Sequence, residues 1–289
     1  MTRSPPITTT TPNKPTYFQQ QTSMAPAIAP PKEPTPTESS SSTLPIRKHK
    51  FPLPLLRLEL RNLADEGSSI FLTHVHGHED LSLQVQNVLN LLYGVEDAPR
   101  PGTRSVTFIV REFEGVAYTT GKELDDDHKE IHLSSKYIRT RKGDVRHELL
   151  GVICHELVHC FQWNAQGTCP GGFIEGIADW VRLRAGLGAK HWRQEVEGSW
   201  DGGYQHTGFF LEWLEGRFGE GTVRGLNGCL REGRYEDEKV FGRCCKGEKV
   251  EALWRRYKED FEKKHDREGK GEEEEGPANP VPTHPAKKE

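Results

Sequence analysis

The residues best suited to do chemistry lie in one run, Gly151-Val152-Ile153-Cys154-His155-Glu156-Leu157-Val158-His159. His155 and His159 are four apart, so on a helix both imidazoles face the same side. That arrangement suits two nitrogen ligands of a single zinc ion. Glu156, beside the first histidine, can then reach an attacking water as general base. The flanks Leu150, Val152, Ile153, Leu157, Val158 and Phe161 are those of a buried helix. Two core histidines with a hydrogen-bonded carboxylate are the plain alternative, and the cost of burying Glu156 without a cation or partner argues against it.

A zinc site of this kind needs a third protein ligand. The short-spaced version HExxHxxGxxH would require Gly and His where this chain has Gln162 and Ala165, so it fails. After a Gly/Pro-rich loop comes Phe173-Ile174-Glu175-Gly176-Ile177-Ala178-Asp179-Trp180. Glu175 and Asp179 again share one face of a helix, here one running back along the first. Glu175 is expected to complete a His155, His159, Glu175 set, with Asp179 accepting the other ring N–H of a zinc histidine. The reverse assignment, Asp179 as ligand and Glu175 in support, stays open on spacing alone.

The elements that must position these groups follow from periodicity. An extended apolar segment occupies 51–60, and Leu81, Val85, Val88, Leu89 and Leu92 recur at helical spacing until Gly94. Residues 105–110 read as a strong strand, with shorter ones at 116–119 and 130–134. The polar Asp125–His128 run between them reads as a loop. Helical patterns then fill 144–164, 173–186, 206–217 and 249–262. Strands first and helices afterwards make an α+β domain.

Composition bounds the rest. The chain has 289 residues, 39 Lys+Arg against 43 Asp+Glu, and a formal net charge of −4. Mean hydropathy is −0.73 and the pI is near 6.4. Residues 1–49, rich in Pro, Thr and Ser, and residues 263–289, with a Glu272–Glu275 run and a Pro-rich end, are expected to be disordered tails around a domain at 50–262. No basic block marks a nucleic-acid surface and no apolar stretch is long enough to span a membrane. The N-terminus has no apolar signal-like core, so a cytoplasmic protein with six reduced cysteines is expected. We expect a monomer that takes a peptide or protein substrate.

The run HELVHCFQWNAQGTCPGGFIEGIADWVRLRAG resembles the metallopeptidase-like family of plant basic secretory proteins and their bacterial and fungal relatives. Three further stretches agree, at 115–121, 130–138 and 202–214, as does the segment from Val250 through Trp254 and Tyr257. The likeness covers most of residues 55–262. It implies a zincin-like, gluzincin-type domain with a small N-terminal sheet ahead of helices carrying the HExxH and ExxxD motifs, one Zn2+ per chain, and peptidase activity. This chain is acidic where the family name says basic.

Around that core several roles are expected. Tyr204 and His206, in a Gly-rich turn opening the next helix, are the candidates to stabilise an oxyanion. Strand 130–136 is expected to pair as an edge strand with an extended peptide, with Ser134 and Ser135 lining the groove. Arg182 is expected to pair with a carboxylate, near the site or at the surface. His74, His76 and His78 read as exposed loop residues, Cys154 and Cys160 as small buried hydrophobes. Cys169 is the thiol to watch for reactivity, and Trp163 can wall the cleft. A zinc-stabilised binding module without catalysis is the rival function, and the retained Glu156 speaks against it. A metal-free scaffold is a third, which the full ligand set opposes.

Overall fold

The computed structural model describes residues 50–273, and side chains as far as His265. The expected tail at 1–49, and the part of the expected 263–289 tail beyond Glu273, lie outside the described residues.

A four-stranded mixed sheet, in the order β1-β2-β4-β3, forms one layer. β1 (Leu55–Leu60) and β4 (Asp125–Ser134) flank β2 (Ser105–Arg111) in parallel, and β3 (Ala117–Lys122) runs antiparallel to β4 at the sheet edge. Parallel pairing of β1 and β2 requires a long crossover. The chain supplies it as α1 (Glu66–His74) and α2 (Gly77–Leu92). Phe108, Val110, Ile131 and Leu133 are buried in the same core as Val85, Val88 and Leu89 of α2.

Two expectations about the sheet are corrected. Asp125–His128 is not a loop. It opens β4, and only Glu123 and Leu124 turn the β3–β4 hairpin. The clustered aspartates tolerate the strand because Arg104 pairs with Asp125 and Asp127, and Lys129 with Asp126. β4 is also not an edge: β2 and β3 take its two sides.

The second layer is helical. α3 (Ser135–Thr140) leads to α4 (Val145–Phe161), which is capped by Asp144 and buried nearly all round. α5 (Gly171–Arg184) packs between α4 and α6 (Tyr204–Phe218). The α5–α6 approach depends on glycine: a Cβ at Gly176 would sit 2.2 Å from Thr207 Cγ2. α7 (Thr222–Cys229), α8 (Asp237–Cys244) and α9 (Val250–Glu273) close the domain. α9 runs past position 262, through Lys- and Glu-rich sequence with good intrinsic helix propensity.

Candidate metal centre

α4 presents His155 and His159 one turn apart, with their Nε2 atoms 3.2 Å from each other and the rings at 82°. α5 lies alongside and brings Glu175 Oε2 to 3.1 Å from His155 Nε2 and 3.7 Å from His159 Nε2. These three residues form a cluster whose donor atoms all lie within 4.8 Å of one another, close enough that one metal ion could be held between them. The fit to zinc is close. A tetrahedral ion with ligand bonds of ~2.0–2.1 Å separates its ligand atoms by about 3.3–3.4 Å.

Behind the cluster, the buried Asp179 Oδ1 stands 2.7 Å from His155 Nδ1. An N–H donated there leaves the Nε2 lone pair facing His159 and Glu175. Asp179 is thus behind the histidine and Glu175 beside it. Burial opposes a charge on His155, but the hydrogen bonds to Asp179 and Glu175 overcome it and raise the imidazole to about 9. Glu175 shows the converse: against the effect of burial, His155 and then His159 hold its carboxyl far below the usual range. Both shifts report a place where negative charge has accumulated and a positive charge is favoured.

Glu156, on the same turn, is buried, and its Oε2 accepts a 2.6 Å hydrogen bond from Thr119 Oγ1 of β3. The same hydroxyl lies 3.0 Å from the Glu156 carbonyl oxygen. Thr119 is a functional neighbour that sequence reasoning missed. Thirty-seven residues separate it from Glu156, and no local pattern marks it.

His155, His159, Glu175 and Glu156 line a cleft of about 690 Å3, together with the β3 residues Ala117–Thr119 and Tyr204. Tyr204 begins α6 with φ +47°, following Gly203 at φ +90°. A non-glycine residue in that region costs of order 1 kcal/mol. Its exposed ring lies nearly parallel to His155, 6.1 Å away. The Glu175 charge, partial burial and the Asp179 and Glu156 charges together raise its phenol, which therefore stays a donor. His206, its expected companion, does not join it. Its ring packs on Trp254 and its Nε2 contacts the Ser199 carbonyl at 2.8 Å.

Ser134 and Ser135 are corrected as groove residues. Both are buried: Ser134 caps α3 and donates to the Phe113 carbonyl, and Ser135 donates to Asp65. β4 has no open edge from which to offer them to a ligand.

Arg182, Glu148, Tyr137 and Trp192 also line the cleft. Arg182 is buried and bonds Glu148 at 3.0 Å while stacking on Trp192, so its carboxylate partner is inside the cleft. Tyr137 donates to the other Glu148 oxygen, and burial together with that carboxylate pushes its phenol up to about 12. Trp163 is not part of the cleft wall. His76 and His78 are exposed at the start of α2, with His74 half-buried at the end of α1. Cys154 and Cys160 are buried, and burial pushes the Cys169 thiol up to about 12, away from reactivity.

In comparison with known families the chain matches the family BSP, described as peptidase of plants and bacteria, over residues 53–257. No curated protein and no solved structure matches the chain.

Proposed function

Since the chain belongs to the BSP family, the peptidases of plants and bacteria, we propose that it is a zinc-dependent peptidase working through the α4–α5 cluster. The observation that carries this reading is the convergence of His155, His159 and Glu175 beside the buried Glu156 in one cleft. Zinc held by those three residues would supply a Lewis acid that polarises the scissile carbonyl and lowers the pKa of the attacking water.

The remaining work falls to the chain itself. Glu156 takes a proton from the water and returns it to the leaving amine nitrogen. Thr119 fixes the carboxylate through its Oε2 while Oε1 serves the water. Tyr204, a protonated phenol at the cleft rim, donates to the oxygen that gains charge. Asp179 holds the His155 ring and its tautomer.

The free edge of β3 along the cleft suits an extended peptide or protein substrate, paired through its backbone. We read the protein as working as a single chain, with no nucleic-acid or lipid partner. No helix among the described residues is long and apolar enough to cross a membrane.

Elemental analysis of the purified chain, paired with hydrolysis of a broad peptide library, tests the proposal. One zinc per chain with hydrolysis abolished in Glu156→Gln supports it. Zinc bound without hydrolysis of any peptide would turn the reading into a binding module, and absence of zinc would end it.

A further inference from the structure

Two of the six cysteines stand apart from the candidate metal centre and close to each other. Cys229 ends α7, Cys244 ends α8, and their sulfurs are 3.9 Å apart. Both are half-buried. Gly225, one turn before Cys229, leaves the room: a Cβ there would sit 3.0 Å from Cys244 Sγ. The hydrogen bond from Cys244 and the charge of Arg243, against partial burial, bring the Cys229 thiol down to about 6, while Cys244 moves up. One sulfur is thus disposed to be a thiolate and its neighbour to remain a thiol. None of the other four matches this. Cys154, Cys160 and Cys245 are buried, and burial keeps Cys169 protonated.

We propose that Cys229 and Cys244 form a reversible dithiol–disulfide pair that closes the 229–244 segment. A low-molecular-weight disulfide is the oxidant. The Cys229 thiolate attacks one of its sulfurs and expels the other as a thiolate, leaving a mixed disulfide on Cys229. Cys244 then loses its proton to solvent and attacks Cys229 Sγ, expelling the second small thiolate. The cysteine pair gives up two electrons and two protons, and the oxidant leaves as two thiols. Bond formation closes the sulfurs from 3.9 Å to about 2.05 Å.

The closed segment bears on the candidate metal centre. It carries Tyr235 and Phe241, whose rings pack on Phe173 at 6.1 and 5.5 Å, two residues before Glu175. Oxidation therefore braces the wall behind α5. The inference does not depend on the peptidase reading, because its readout is a thiol count taken without substrate.

The test equilibrates the full chain in reduced and in oxidised glutathione, alkylates it, and maps the cysteines by mass spectrometry. In oxidised buffer four of the six thiols should remain alkylatable, with a cross-linked peptide joining 229 and 244. The oxidised form should melt about 5–10 °C higher, a shift absent in Cys229→Ser. Cys244→Ser should instead hold one glutathione on Cys229. Six free thiols in oxidised buffer, a cross-link between other cysteines, or glutathione lodged permanently on wild-type Cys229 would each overturn the proposal.

Discussion

Two of the histidine–carboxylate clusters among the described residues are built on opposite principles. On β4, the buried His132 accepts from Arg111 Nε at Nδ1 (3.0 Å), faces Glu130 at Nε2 (3.3 Å) and stacks on Tyr118 at 4.5 Å. Lys122 pairs with the same Glu130. Each acceptor there has a donor, and the two cations more than balance the one carboxylate. On α4 and α5, His155 and His159 meet Glu175, Asp179 and Glu156, and the only Lys or Arg lining that cleft, Arg182, is committed to Glu148. Two Nε2 atoms and a carboxylate oxygen converge with no side-chain cation to share. The lesson is that a histidine beside a carboxylate does not signal a metal; a surplus of convergent acceptors does.

The contrast breaks most sharply at His159. His159→Ala removes one of the three proposed ligands, and the zinc content of the purified protein should fall to near zero with all hydrolysis, whereas His132→Ala should leave metal content unchanged. Metal loss in both variants would mean that the two clusters are not distinct in kind. Next in size is the proton transfer. Glu156→Gln keeps the zinc and should lower kcat by about 10²–10⁴-fold, the range general-base catalysis supplies. A variant with intact metal and wild-type kcat would remove Glu156 from the mechanism.

Smaller effects test what surrounds the ligands. Asp179→Asn retains the size of the side chain but loses the charge behind His155, so zinc affinity measured by chelator competition should weaken about 10–100-fold. Thr119→Val removes the hydroxyl that holds Glu156 and should cost about tenfold in kcat, with KM and zinc content little changed. Thr119→Ser, which keeps the hydroxyl, should restore it. A loss that Ser does not rescue would assign Thr119 to packing.

These residues also show how much the sequence could disclose. α4, α5 and α6 were legible because helical period and apolar flanks are local properties, and Glu175 and Asp179 fell on one face by spacing alone. Spacing left the ligand choice open, and the packing of α5 against α4 sets Glu175 beside the histidines. Thr119 was invisible because the sheet, not the chain, makes it a neighbour of Glu156. β4 was misjudged for the same reason: whether a strand is interior or edge depends on the order β1-β2-β4-β3, which a crossover creates. The short helices α1, α3, α7 and α8, of six to nine residues, offer too few turns for a period to stand out.

The smallest effect separates the clusters by their protons. Burial, aided by the Arg111 charge and opposed by Glu130, lowers His132 below its ordinary value of 6.5. The folded state therefore favours the neutral ring, and the unfolded chain takes up the proton first as the solution is acidified. Stability from this residue is present above pH 6.5 and fades as pH falls toward and through the lowered value. His132→Phe keeps a ring on Tyr118 but cannot titrate. At pH 8 it should melt slightly lower, because Arg111 and Glu130 each lose a partner, a cost of about 1 kcal/mol. Between pH 6.5 and 5 its melting temperature should then fall less steeply than that of the wild type. The carboxylates held low by their partners, Asp65 by Gly67, Ser135 and Arg139 and Asp80 by Arg146, both against the effect of burial, act only at lower pH, and groups common to both proteins cancel in the comparison, so the difference in slope reports His132. A steeper fall in the variant would show that the β4 histidine is held charged, and would erase the difference in kind between it and the pair on α4.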